Sequence, residues 1–209
     1  MKFLESFLPK LFITLIPSAK GVLLYGELRK YTKLIKRYEK QLIEGSAALE
    51  KRIRILEKES SLVYVSLLET EASQGLLSDC RSSEEFDLSS VEKICIDNRW
   101  GIYISKDDLF DRQQMYKNMG LDFLFSPFSL LYSFYKESVQ HSDGLYLLVT
   151  DDFIISAVFK NSTMIFGKKV SMQDELSLID ETKVMEKYIE NIQTIVKAFY
   201  DAKVDETMF

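Results

Sequence analysis

Residues 144–170, GLYLLVTDDFIISAVFKNSTMIFGKKV, limit what this chain can become more than any other stretch. Residues 145–150 are an apolar run that breaks at Asp151-Asp152, residues 153–160 are a second, and Asn161-Ser162-Thr163 turns the chain into a third over 164–170. Short runs that are apolar on both faces predict three consecutive strands in the middle of a sheet, with layers above and below. The first turn, VTDDF, stands where several nucleotide-binding folds carry a glycine-rich phosphate loop, and it holds no glycine.

Upstream, residues 11–16 form an apolar run between Pro9 and Pro17 that is too short for a helix and reads as a buried strand. Pro17-Ser18-Ala19-Lys20 is the turn to a second strand over 21–28, so the chain opens with a hairpin behind a short amphipathic lead-in at 1–8. Residues 29–41 admit two readings. Leu28, Tyr31, Leu34, Ile35, Tyr38 and Leu42 fit a helical stripe, while the Tyr and Thr content suits a third antiparallel strand. A helix is predicted over 47–59 with Leu49, Ile53 and Leu56 inward, followed by strands at 61–69 and 75–77, a polar loop at 78–90 and a strand pair at 91–96 and 100–104. Ser105 caps a helix that Gly120 closes, 122–125 is a short strand, and Ser126-Pro127 opens a helix that is apolar on one side. A loop over 172–182 precedes a last helix at 183–202, with Val184, Tyr188, Ile192, Ile195, Val196 and Phe199 on one face.

A formal net charge of -5 argues against a chain whose main partner is nucleic acid. Between residues 29 and 58 ten basic residues stand against four acids, and a solvated face with local ion pairs accounts for them more simply than a patch for acidic membrane lipid or nucleic acid. Asp79, Glu84, Glu85 and Asp87 lack the regular spacing of oxygen ligands, and His141 sits in a polar loop sequence, so no metal site is expected. Cys80 and Cys95 show neither metal-ligand spacing nor a disulfide framework, which favours a reducing compartment. The apolar run at the start is interrupted by Glu5, Pro9 and Lys10 and ends at Pro17, short of the roughly 20 apolar residues a spanning helix needs, so a cytoplasmic protein is expected.

From Lys106 to Leu131 the order becomes specific: a strand pair, a helix ending in Met119-Gly120-Leu121, a short strand, SPFSLL opening another helix, then the three strands. This resembles the actin-like proteins of bacterial envelope machines, the family of PilM, FtsA and the cytoplasmic domain of GspL. The matching residues are Gly120, Leu121, Phe123, Phe125, Ser126, Phe128, Leu130 and Leu131. The resemblance implies an α/β, actin-like (ribonuclease H-like) two-lobe fold with mixed sheets flanked by helices. Residues 1–140 would be the first lobe with a small inserted subdomain at about 61–125, and 141–209 a partial, truncated second lobe.

Relatives that bind ATP hold its phosphates with two Asp-x-Gly-type turns, where glycine lets backbone N–H groups approach. At the first turn this chain has Pro17, which removes an N–H, and Ser18; at the second it has Asp151 and Asp152 without a glycine. The family's adenosine loop would fall beyond Phe209. The expectation is therefore a degenerate member with no catalytic residue, cofactor or metal. Asp151 and Asp152 as a magnesium pair are the weaker reading, since neighbours on a strand point to opposite faces.

The resemblance further implies a scaffold on the cytoplasmic face of a bacterial inner membrane that binds the cytoplasmic segment of a PilN-like membrane protein. It would sit as a subunit, or as a ring of them, in a type IV pilus, a type II secretion or DNA-uptake system, or a flagellar motor accessory structure, touching the membrane at its periphery at most. Trp100, Tyr103 and Phe125 flank the family's peptide groove and are the candidate anchors, although each also fits a plain core position. The alternative is a nucleotide-binding switch or weak ATPase with residual affinity through Asp151, Asp152 and Lys20.

Overall fold

The computed structural model describes residues 8–18, 21–42, 46–70, 74–78, 80, 89–96, 99–137, 142–150, 152–171 and 181–206. The lead-in at 1–7, Ala19, Lys20, Asp79, Glu84, Glu85, Asp87, His141, Asp151 and the loop at 172–180 lie outside them, as do the side chains of Val184 and Tyr188.

The chain begins with strands β1 (Lys10–Ser18), β2 (Gly21–Lys30) and β3 (Lys33–Leu42), then helix α1 (Ser46–Leu56) and strand β4 (Leu62–Leu68). Strands β5 (Gln74–Leu77), β6 (Val91–Cys95) and β7 (Gly101–Ser105) lead to helix α2 (Lys106–Met115), strand β8 (Leu121–Phe125) and helix α3 (Pro127–Glu137). Strands β9 (Gly144–Val149), β10 (Phe153–Lys160) and β11 (Thr163–Ser171) precede the long helix α4 (Glu181–Glu206). They form a five-stranded sheet of order β3-β2-β1-β4-β8 and two three-stranded sheets, β11-β10-β9 and β5-β7-β6. β1, β2 and β3 run antiparallel, whereas β4 lies parallel to β1 and β8 parallel to β4.

Two compact units emerge: Met1–Gln74 with Ser82–Lys93 and Tyr103–Ser126, and Gly75–Arg81 with Ile94–Ile102 and Pro127–Phe209. In the first, period-2 alternation puts Leu11, Ile13 and Leu15 of β1 on one face with Leu24, Val65 and Leu67 of its neighbours. Leu49, Ile53 and Leu56 of α1 close over that face, as their helical spacing predicts, and Tyr116 and Met119 join them from the end of α2. The Ser105 hydroxyl accepts the Asp108 N–H at 3.4 Å to cap α2, and Gly120 turns the chain out at φ 66°.

Residues 29–41 are strand, not helix. β2 and β3 pair along their length around the two-residue turn Tyr31-Thr32, and the buried Tyr38 ring lies over Gly26, its cross-strand partner. A Cβ on Gly26 would come within 3.2 Å of that ring, so the glycine makes the space the tyrosine fills. Leu34 and Ile35, which suggested a helical stripe, are exposed. Pro17 and Ser18, expected in the turn, still belong to β1; β4 stops pairing at Leu15, so the missing Pro17 N–H breaks no ladder there.

In the second unit only β10 is buried on both faces, as the central strand of its sheet. Phe153, Ile155, Ala157 and Phe159 face Phe128, Leu131 and Tyr135 of α3, while Ile154 packs with Ile195 of α4. β9 and β11 are edges, and β9 exposes Leu145 and Val149, so the expected burial of all three strands holds for the middle one. On α4 the inward positions include Asn191 and Ile195, and Phe199 meets Phe166 edge-on; Val196, expected inward, faces solvent.

Cys80 and Cys95 correct the sequence reading, because they are joined as a disulfide with Cα atoms 5.6 Å apart. Backbone pairing brings them together: the Cys80 N–H donates to Arg99 O at 2.9 Å, and Gly101 sits against the Cys80 side chain. A separation of fifteen residues carries none of that information, and the pairing removes the argument for a reducing compartment. Among the described residues no helix is long and apolar enough to cross a membrane.

Candidate functional site

The described residues at the two turns where the resemblance would place phosphate make local hydrogen bonds. At the end of β1 the Pro17 carbonyl accepts from the Thr70 hydroxyl at 3.2 Å, and the Ser18 hydroxyl donates to Gly21 O at 3.1 Å. At the β9–β10 turn the Thr150 hydroxyl oxygen accepts the N–H groups of Asp152 and Phe153 at 3.3 and 3.1 Å, and donates to Phe153 O at 3.1 Å. The Asp152 and Phe153 N–H groups are thus aimed at a side chain of the same turn. Asp152 is buried. No group of three or more potential metal ligands occurs among the described residues.

Ligands of open α/β sheets sit outside the carboxyl ends of the strands. There β4 and β8 are tied down by the protein itself. Glu69, only 1% exposed, pairs with Arg112 at 2.9 Å, and its N–H donates to Phe125 O at 2.8 Å. The Gln74 amide donates to Glu69 O, and Ser126 donates to Gln74 Oε1, both at 2.6 Å.

The three expected anchors take different roles. Trp100 is half-buried in the second unit, packed against its core, and its indole N–H donates to Met164 O at 2.6 Å. Tyr103 is half-buried on β7 in the first unit. Phe125 is 38% exposed and belongs to a row of rings across three adjacent strands. Phe12 on β1 stacks on Tyr64 of β4 at 5.4 Å, Tyr64 meets Phe123 of β8 at 6.3 Å, and Phe123 stacks on Phe125 at 6.0 Å. Phe12 and Phe123 are 42% and 48% exposed. Sequence reasoning passed over Phe12, Tyr64 and Phe123 as anchors. For Phe12 and Tyr64 the signal was available, since each alternates with core residues of its strand; Phe123 has the same parity as the core-packed Leu121, and only the β4–β8 register shift turns it outward.

β8 is an outer strand of its sheet. A groove of about 370 Å3 runs beside it, lined by Leu109, Arg112 and Tyr116 on one side and by Asp122 and Phe123 on the other. The Asp122 carboxylate accepts the Val65 N–H at 2.8 Å where the β4–β8 register shifts, which fixes the strand against its neighbour. At the other end of the row Phe12 lies opposite Glu27. Partial burial disfavours the ionised form of Glu27, but hydrogen bonds from Arg29, Arg37 and Tyr25 outweigh it and hold the carboxyl below its usual range. A charged cluster therefore borders the aromatic row.

The model of the family described as "Domain of unknown function (DUF8569)" matches residues 7–132. The chain belongs to the DUF8569 family. Among solved structures it is similar to a Bacteroides thetaiotaomicron protein with actin-like ATPase fold and unknown function, at TM-score 0.53 and 15% identity, over 94% of this chain and 80% of that one. It is also similar to an exopolyphosphatase from Cytophaga hutchinsonii, at TM-score 0.49 and 10% identity, over 92% of this chain and 63% of that one. No curated protein matches the chain. The fold of this DUF8569 chain is therefore α/β and actin-like, as its order of elements implies.

Proposed function

We propose that this DUF8569 chain is a non-catalytic adaptor that works by binding, in the manner the resemblance to PilM implies. The supporting observation is the β9–β10 turn, where Thr150 takes the backbone donors that a phosphate would require. What the molecule offers instead is an aromatic row on an open strand edge. An extended peptide adding to β8 as a further strand would gain main-chain hydrogen bonds there and would lay alternate apolar side chains over Phe123 and Phe125. The occupant is the cytoplasmic segment of an inner-membrane, PilN-like protein, and the adaptor works on the cytoplasmic face of that membrane.

The test is capture from a detergent extract of the source bacterium's membranes. The intact chain is expected to retain a membrane protein that the exposed-residue variant Phe123→Ser, Phe125→Ser releases, with affinity for it reduced about thirtyfold or more, as for a loss of at least 2 kcal/mol at a binding hot spot. Capture of no membrane protein, or equal capture by both forms, would overturn the reading.

A further inference from the structure

The opposite edge of the five-stranded sheet is built differently. The β2–β3 hairpin ends in Lys30-Tyr31-Thr32-Lys33, followed by Leu34 and Ile35. Tyr31 is 59% exposed, Leu34 37% and Ile35 51%, and these residues line one shallow depression at the tip. Around them stand Arg29, Lys30, Lys33, Lys36 and Arg37, with no acidic residue from 28 to 38, in a chain whose net charge is -5. Glu27 holds Arg29 and Arg37, and Glu59 holds Lys36 at 3.2 Å. Lys30 and Lys33 are exposed, without an ion-pair partner among the described residues.

Tyr31 also has φ 54°, a left-handed conformation that hairpin turns usually give to glycine or asparagine. An aromatic side chain is thus kept at the tip despite the backbone conformation it must adopt there. We infer that this hairpin tip is a docking site for an anionic lipid bilayer: Tyr31, Leu34 and Ile35 enter the interface while Lys30 and Lys33 meet the headgroup phosphates. Apolar side chains ringed by cations fit an acidic membrane surface, where hydrocarbon lies just beneath the charge. A nucleic-acid backbone presents the charge without an apolar phase for Leu34 and Ile35. The site lies on the edge opposite β8, so it does not rest on the peptide reading and is tested by different variants.

The experiment is flotation of the intact protein with vesicles of phosphatidylcholine alone and of phosphatidylcholine with about one third phosphatidylglycerol, at low and high salt. The wild type is expected to float with the anionic vesicles only, and less at high salt. Replacing both Lys30 and Lys33 by Gln lowers partitioning roughly thirtyfold, two cations' worth of surface attraction. Tyr31→Gly with Ile35→Ser also weakens binding, and this loss persists at high salt; glycine suits the left-handed turn, so folding is preserved. Three results would each overturn the inference: no flotation, flotation equal for the lysine variant, or binding to single- or double-stranded DNA that survives the Tyr31→Gly, Ile35→Ser change while vesicles are ignored.

Discussion

Phe159→Ala is expected to cost about 3–5 kcal/mol of folding stability, enough to consume a large part of a typical domain's margin. Phe159 is 1% exposed at the centre of a ring cluster in the second unit. Its ring stacks on Tyr135 with centroids 3.9 Å apart, and it meets Tyr146 edge-on at 5.4 Å and Tyr132 at 6.3 Å. Alanine removes the buried area, leaves a cavity beside Tyr135 on β10's inward face, and deletes the stacked pair, itself worth about 0.5–1.5 kcal/mol beyond its area. Urea unfolding should show a lower midpoint with an unchanged slope, and Phe159→Leu should recover more than half of the loss. A loss below about 1 kcal/mol would mean that α3 does not pack on β10 as described.

Arg112→Met should be nearly as damaging, at about 3–5 kcal/mol, because it strips the guanidinium from a carboxylate that stays inside the protein. Glu69 is 1% exposed and Arg112 contacts it at 2.9 Å, so the pair lies in a region of low dielectric. The cost is mainly that of the stranded charge. The double change Glu69→Leu, Arg112→Met should therefore be far less destabilising than the single one, since replacing both members of a buried pair by apolar groups is often nearly neutral. If the single and double variants lose the same stability, the pair is not what holds the ends of β4 and α2 together.

Much of the fold was legible in the sequence, for particular reasons. The β1–β2 hairpin, the α2 helix between Ser105 and Gly120, and the inward stripe of α1 are written in local periodicity and caps, and the structure reproduces them. The nature of residues 29–41 was not, because Leu34, Ile35 and Tyr38 fit a helical stripe while the Tyr and Thr content suits a strand. What decided it was pairing with β2 and the space over Gly26. The Cys80–Cys95 bond depends on how the chain returns through β7, which spacing does not encode. The aromatic row needs Phe12, Tyr64 and Phe123 from strands more than fifty residues apart in sequence, so only the sheet order assembles it. Val196 of α4 reads as inward on a helical wheel, but the inward face runs through Asn191, Ile195 and Phe199.

A chain that works by binding, as proposed above, would take up no nucleotide at the β9–β10 turn. Thr150 takes the Asp152 and Phe153 N–H groups there, and the Pro17 carbonyl and Ser18 hydroxyl are engaged at the end of β1. The most direct measurement is the unfolding midpoint of the intact protein titrated with Mg-ATP to millimolar concentration, with calorimetry on the same samples. No rise in the midpoint and no heat of binding are expected. A saturable rise would contradict that expectation: a true site filled to about 100 times its Kd stabilises by roughly 2.7 kcal/mol.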